Sequence, residues 1–196
     1  MHFIGFYDYT VVLTYLSLVS ALVGLVQASK GDLRLAVWCI IFSGFCDMFD
    51  GIVARTKKNR TEEQKNFGIQ IDSLVDVIAF GVVPATVFYF HGLDSVLGIA
   101  ILAFYVTCGV IRLGFFNVIE TKRQSNPDEQ ACAKEFRGIP ITSSAMITPI
   151  VCAVAYILPS EISTVIYHAV PFLMGFFFIF DMRVPKINIS ALFSKK

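Results

Sequence analysis

Two stretches of the sequence decide the fold: CDMFDGIVAR at residues 46–55 and, after a polar loop, GIQIDSLVD at residues 68–76. Each stretch carries two aspartates at helical spacing inside a segment that is otherwise largely apolar. Placing one carboxylate at the centre of a membrane helix costs roughly 2.5–3.5 kcal/mol, so four together require compensation. Divalent metal ions are the most direct compensation. The two stretches therefore predict a binding site and not simply a structural scaffold.

The composition is that of a membrane protein. Of the 196 residues, 56% are hydrophobic and 16% are charged, whereas soluble domains carry about 25% charged residues. The net charge of +1 argues against a nucleic-acid partner. The five cysteines have no C-x-x-C spacing. We interpret them as small buried hydrophobic residues, in preference to zinc ligands or disulfides.

Apolar segments of about 20 residues predict six membrane-spanning helices within a single membrane domain, residues 1–196. The fold class predicted is an all-α integral membrane protein. Short connections after the first, third and fifth spans predict antiparallel neighbours, and the connections after the second and fourth are longer and hydrophilic. The expected spans are residues 9–28, 34–55, 67–90, 95–119, 139–158 and 160–180.

Basic residues are distributed unequally between the two ends of these spans. If both termini lie on one side of the membrane, that side receives thirteen Lys and Arg residues and the other side receives two, Lys30 and Arg34. Cytoplasmic loops characteristically carry such an excess. We therefore expect both termini and the four aspartates to lie on the cytoplasmic side.

The four aspartates are expected to share one small volume. Asp47 and Asp50 lie three residues apart on the second span, and Asp72 and Asp76 lie four apart on the third. Each pair therefore occupies one face of its helix, and antiparallel packing would bring the two faces together. Carboxylate oxygens suit Mg²⁺, Mn²⁺ or Ca²⁺ better than zinc or copper. Two such ions about 3.5–4 Å apart would stabilise the attacking and the leaving oxygen of a phosphoryl transfer.

Small residues lie on the same helix faces as the aspartates. Gly51, Ala54 and Gly68 remove side-chain bulk and leave room for a bulky planar ligand, which a pure ion site would not need. Arg55 is the last residue of the first stretch and is placed to bind a phosphate or diphosphate oxygen. Single aspartates at helix ends are often merely interfacial, but that interpretation does not account for four on matching faces. A cation-transport pathway is another alternative, although we find no matching acidic cluster at the opposite ends of the spans.

The spacing of these residues resembles the signature of the CDP-alcohol phosphotransferase family, Asp-x2-Asp-Gly-x2-Ala-Arg followed after a gap by Gly-x3-Asp-x3-Asp. The resemblance implies the six-helix fold of that family and a homodimer. It also implies transfer of a phosphate-bearing group from a CDP-linked donor to an alcohol, with release of CMP. Every fixed position is filled, by Asp47, Asp50, Gly51, Ala54, Arg55, Gly68, Asp72 and Asp76.

The same resemblance implies a role for each matched residue. Asp76 is the implied general base as well as a metal ligand. The metals are two Mg²⁺ or Mn²⁺ ions, for which Ca²⁺ can substitute structurally, and their implied ligands are Asp47, Asp50, Asp72 and Asp76. The residues implied to contact the CDP-linked lipid are Asp50, Gly51, Ala54, Arg55 and Gly68.

Three further segments resemble the branch of the family that uses CDP-diacylglycerol as donor and L-serine as acceptor: residues 72–85, 112–118 and 136–142. Arg112, Asn117 and Arg137 are candidate contacts for the acceptor or a phosphate. The alternatives are a helix–helix hydrogen bond for Asn117 and a topology charge for Arg137.

One position departs from the pattern of that branch, because Phe115 stands where a second arginine is usual. Another acceptor with the same chemistry, such as glycerol phosphate or an inositol phosphate, therefore stays open. A prenyl-diphosphate transferase and a cation transporter are the remaining alternatives.

Overall fold

The computed structural model describes residues 5–7, 9–57, 60–125 and 135–185, and this part of the chain is almost entirely helical. A short antiparallel ribbon joins strands β1 (Glu135–Arg137) and β2 (Arg183–Pro185). The helices are α1 (Val12–Ser29), α2 (Leu33–Thr56), α3 (Glu62–Asp76), α4 (Val83–Phe90), α5 (Val96–Ser125), α6 (Ser144–Ile157) and α7 (Ser160–Ile179).

Within the described residues, five helical segments are long and apolar enough to cross a membrane, and a sixth apolar helix is shorter, at Ile141–Ile157. The predicted all-α membrane fold with six helical segments is confirmed, and the chain is a multi-pass membrane protein. The five longer segments are Tyr9–Ser29, Leu33–Val53, Glu62–Phe90, Val96–Lys122 and Ser160–Ile179.

The third span begins earlier than residue 67, where the hydrophobic pattern had placed its start. Helix α3 starts at Glu62 because Thr61 and Gln64 form a reciprocal cap. The Thr61 hydroxyl accepts a hydrogen bond from the Gln64 backbone N–H at 3.2 Å, and the Gln64 side chain accepts from the Thr61 N–H at 3.3 Å. Such a capping box satisfies two N–H groups that a helix start leaves unpaired. The connection from α2 is consequently short, Lys57–Thr61.

A π-helical turn, Val77–Val82, joins α3 to α4 directly after Asp76. Pro84 follows this turn, and its missing N–H leaves the Phe80 carbonyl without an ordinary helical donor. The Tyr105 hydroxyl of α5 donates to that carbonyl at 2.5 Å and lies 2.8 Å from the Ser144 hydroxyl of α6. Because Tyr105 is fully buried, this link fixes the third span against two neighbours next to Asp76.

The interior of the bundle relies on small residues where helices approach closely. Gly24 of α1 shows this, since a Cβ built there would lie 3.1 Å from the Cys39 side chain of α2 and 3.3 Å from Val83. Small residues allow such close contact between membrane helices. Large apolar side chains such as Trp38 and Val165 instead face outwards, as expected for contact with lipid.

Candidate active site

Three of the four predicted aspartates form a tight cluster between α2 and α3. One carboxylate oxygen each from Asp47, Asp50 and Asp72 can be chosen so that all three lie within 4.8 Å of one another. All three residues are half-buried. Asp47 and Asp50 face the cluster because they lie one turn apart on α2. Asp72 reaches it from α3, which packs mainly against α1 and α5.

The fourth aspartate, Asp76, is buried and only 6% exposed. It lies one helical turn beyond Asp72 on the same face of α3, at the start of the π-helical turn. It is not among the three residues whose oxygens approach within 4.8 Å. The structure therefore separates three clustered carboxylates from a fourth that is more deeply buried, a distinction that the spacing alone did not reveal.

A hydroxyl from α1 supports the cluster. Thr14 donates a hydrogen bond from Oγ1 to Asp50 Oδ2 at 3.3 Å, and Thr14 itself is buried. Thr10 and Ser17, one turn to either side, are also buried. Thr14 was not among the residues predicted from the sequence, although the hydroxyl residues at positions 10, 14 and 17 form a polar stripe on an otherwise apolar helix.

Among the side chains that the structure describes, no lysine, arginine or histidine forms an ion pair with Asp47, Asp50, Asp72 or Asp76. Clustered acids in a membrane segment need such a counter-charge. An all-oxygen, strongly acidic donor set is the type that hard divalent cations prefer. The residues present therefore fit Mg²⁺ or Mn²⁺.

The residues expected near the CDP-linked lipid fall into two groups. Gly51 is exposed, and a Cβ built on it meets no atom within 4 Å, so open space lies beside α2 there. Ala54 and Arg55 belong to the last turn of α2, and their side chains lie outside the described part of the structure.

Gly68 does not face open space. A Cβ built on Gly68 would lie 2.7 Å from Nη2 of Arg60. The guanidinium of Arg60 therefore occupies the space that the glycine leaves free. Arg60 was not among the residues singled out from the sequence, because nothing in the local pattern shows that its side chain folds back onto α3.

Asn117 forms the helix–helix hydrogen bond that was the alternative to acceptor binding. Its side-chain oxygen accepts from the Ser73 hydroxyl at 2.8 Å, which links α5 to the residue directly after Asp72. This bond orients α3 at the carboxylate cluster. A direct contact between Asn117 and the acceptor stays a prediction.

Arg112 is buried and holds parts of the backbone together. It donates from Nη1 to the Phe178 carbonyl at 3.3 Å and from Nη2 to the Gly138 carbonyl at 3.4 Å. Gly138 has a φ of +67°, and a Cβ built there would lie 2.8 Å from Nη1, so a side chain would fit neither the backbone nor the space. These contacts tie α5 to the end of α7.

Binding of the acceptor by Arg112 or Arg137 stays a prediction. A cavity of about 240 Å³ adjoins Arg112 and is lined in addition by Phe115 and Phe116 of α5 and by the end of α7. The Arg137 side chain lies outside the described part of the structure.

A larger cavity, about 1060 Å³, lies at the other end of the bundle. Its lining includes Lys30 and Arg34 near the start of α2 and Tyr156 near the end of α6. None of the clustered aspartates contributes to it. The acidic groups therefore lie away from this larger cavity.

The fold and the acidic cluster together define a multi-pass membrane protein with an acidic site between its second and third spans. The profile of the CDP-alcohol phosphatidyltransferase family matches residues 9–180, and the chain belongs to this family. A CDP-diacylglycerol–serine O-phosphatidyltransferase from Helicobacter pylori is 36% identical over 133 residues, which cover 67% of this chain and 51% of that protein. The chain thus spans about half the length of this relative.

Two archaeal proteins are also similar. A CDP-diacylglycerol–serine O-phosphatidyltransferase from Methanocaldococcus jannaschii is 28% identical over 172 residues, 88% of this chain and 72% of that protein. An archaetidylserine synthase from Methanothermobacter thermautotrophicus is 32% identical over 135 residues, 68% of this chain and 53% of that protein. No solved structure gave a significant match.

Proposed function

We propose that the chain is a phosphatidylserine synthase, which transfers the phosphatidyl group of CDP-diacylglycerol to the hydroxyl of L-serine and releases CMP. The observation that carries this proposal is the cluster of Asp47, Asp50 and Asp72 at the position of the family signature. The names of the three relatives, two CDP-diacylglycerol–serine O-phosphatidyltransferases and one archaetidylserine synthase, support serine as the acceptor.

The clustered aspartates are proposed to hold two divalent ions, with Asp76 at the edge of that site. When bound, the ions would neutralise the diphosphate of the donor and stabilise the departing CMP. Asp47 and Asp50 would bind the ions from α2, and Asp72 would bind them from α3. The donor diphosphate would then lie between the two helices. Thr14 restrains Asp50 through its hydrogen bond, because a donated hydrogen bond limits the rotation of the carboxylate.

Asp76 is proposed to be the general base. Its burial keeps it away from bulk water, and a carboxylate within hydrogen-bonding reach of a hydroxyl can take its proton in the transition state. The serine oxygen then forms a bond to the phosphorus that carries diacylglycerol. The bond from that phosphorus to the bridging oxygen breaks, and CMP leaves with the electron pair. The proton ends on Asp76.

We also propose that the site faces the cytoplasm and that the protein is a homodimer in the membrane. The excess of basic residues at the carboxylate end supports the orientation. The proposed donor and product are both membrane lipids. The open space beside Gly51 would let the nucleotide part of the donor approach α2.

The experiment uses the full chain, purified in detergent, with Mn²⁺, CDP-diacylglycerol and labelled amino acid or alcohol. We expect serine to be converted to a labelled lipid with one CMP released per lipid formed. Glycerol phosphate and inositol phosphate serve as alternative acceptors, and Asp72→Asn serves as the inactive control. Conversion with glycerol phosphate but not with serine would refute serine as the acceptor. With the same protein reconstituted into proteoliposomes, cation flux without any requirement for a CDP-lipid would refute the enzymatic function.

A further inference from the structure

The short connection between α2 and α3 places an arginine against the face of α3 that leads to the carboxylates. Arg60 donates from Nη2 to the Gln64 carbonyl at 3.1 Å. The same nitrogen lies 2.7 Å from the position that a Cβ on Gly68 would take. Its Nε is buried and has no hydrogen-bond partner among the described residues. The guanidinium is thus folded back onto the helix and held there with part of its donor capacity unused.

The position of this guanidinium relative to the carboxylates follows from the helix. Gly68 and Asp72 are four residues apart, so they lie on one face of α3 with a rise of about 6 Å between them. The Arg60 guanidinium therefore lies beside α3 about one helical turn before Asp72. None of the acidic side chains that the structure describes forms an ion pair with it.

An arginine in this position suits an anion that bridges the two groups. Guanidinium carries five N–H donors in a planar fork and binds phosphate oxygens with two parallel hydrogen bonds. A diphosphate held at the carboxylates by divalent ions would still carry negative oxygens on the side facing Arg60.

We propose that Arg60 binds the phosphate groups of the nucleotide-linked lipid donor from the space that Gly68 leaves free. This inference rests on the proposed function and deepens it. It differs from the expectation that Gly68 directly leaves room for a bulky planar ligand. If Gly68 instead makes room for that ligand, Arg60 serves only to stabilise the first turn of α3.

The two interpretations predict different results for substitutions at the two positions. A methyl group in Gly68→Ala would push the guanidinium away, so this variant should lose the same affinity for the donor that Arg60→Gln loses. The double variant should then be no worse than the worse single variant, because both changes remove one interaction. If Gly68 instead contacts the nucleotide, the two losses should multiply.

The test measures kcat and KM for both substrates in Arg60→Gln, Gly68→Ala and the double variant. Loss of a charged hydrogen bond should raise the KM for CDP-diacylglycerol by about 10- to 100-fold, while the KM for serine changes by less than about twofold. Arg34→Gln is the matched control, since Arg34 lies at the other end of the bundle with its guanidinium carbon 5.9 Å from the Tyr156 ring centroid. It should leave both KM values unchanged.

A binding measurement separates this proposal from the proposed function. In the presence of Mn²⁺, the affinity of the protein for CDP should fall in Arg60→Gln by about tenfold, while weak cytidine binding stays the same. Unchanged CDP binding and an unchanged donor KM in Arg60→Gln would overturn the role of Arg60, even if the wild type makes phosphatidylserine. Multiplicative losses in the double variant would overturn the role given to Gly68.

A purely structural role for Arg60, in which it stabilises α3 without contacting the donor, predicts a different result. Arg60→Lys keeps the charge but loses the fork, so it should retain the thermal stability of the wild type and show a donor KM between those of wild type and Arg60→Gln. A lowered melting temperature in Arg60→Lys with an unchanged donor KM would show that Arg60 is structural and would refute the proposal. Absence of transferase activity in the wild type, with CDP binding still sensitive to Arg60, would overturn the reaction and leave the donor contact standing.

Discussion

Replacing Tyr105 by phenylalanine removes one hydroxyl that serves two buried partners. This hydroxyl donates to the Phe80 carbonyl at 2.5 Å and lies 2.8 Å from the Ser144 hydroxyl. Pro84 has no N–H to offer that carbonyl instead, and both Tyr105 and Ser144 are 0% exposed. Hydrogen bonds between membrane helices average about 0.6 kcal/mol and reach about 1.7 kcal/mol. Two of them give an expected loss of about 1–3 kcal/mol in the free energy of unfolding.

Equilibrium unfolding in mixed micelles measures this loss. Tyr156→Phe is the matched control, because Tyr156 is 80% exposed and its hydroxyl should contribute about zero. Ser144→Ala should fall between the two, since it removes one partner and leaves the bond to Phe80. A Tyr105→Phe variant within about 0.5 kcal/mol of the control, less than one average bond, would refute the claim that this link fixes the third span.

Three further predictions concern the site. Asp76→Asn should lower the transferase rate by about 10²- to 10⁴-fold with CMP binding retained, because it removes the base and leaves the three clustered carboxylates; full activity would exclude Asp76 as the base. Thr14→Val should weaken Mn²⁺ binding by about tenfold, at the low end for the loss of a group that orients a metal ligand, and titration calorimetry would contradict this with an unchanged affinity. Ser73→Ala and Asn117→Ala should each lower the free energy of unfolding by about 0.6 kcal/mol, but a contact with serine requires that only Asn117→Ala raises the KM for serine.

The membrane fold was predictable because its signals are local in the sequence. Apolar runs of about 20 residues identify spans whatever their neighbours are, and the observed segments agree with the predicted ones except near a few ends. The largest shift, at the start of α3, came from following hydrophobicity alone. The Thr61–Gln64 capping pattern, with Glu62 and Glu63 in the first turn, would have placed that start correctly.

The aspartate cluster was predictable only in part. Spacing showed that Asp47 and Asp50 share one face of α2 and that Asp72 and Asp76 share one face of α3. The depth of each side chain, however, depends on how α3 packs against α1 and α5. That packing leaves Asp76 more buried than the other three. The sequence cannot give this difference, because it arises from contacts between residues far apart in the chain.

Long-range side-chain contacts were the least predictable features. Thr14 and Asp50 are 36 residues apart, and Arg112 and Phe178 are 66 apart. The sequence pointed to Arg112 as an unusual charge in a span but not to its carbonyl partners. A buried arginine can satisfy its donors in several ways, and only the assembled bundle shows which one is used.

The most direct measurement is the number of Mn²⁺ ions bound per chain, counted by electron paramagnetic resonance on the purified protein. The account predicts two ions in the wild type and the loss of at least one in Asp47→Asn and in Asp72→Asn, with Asp32→Asn unchanged because Asp32 instead caps the start of α2. A wild-type protein that binds no Mn²⁺, or one whose Mn²⁺ count survives both substitutions, would contradict it.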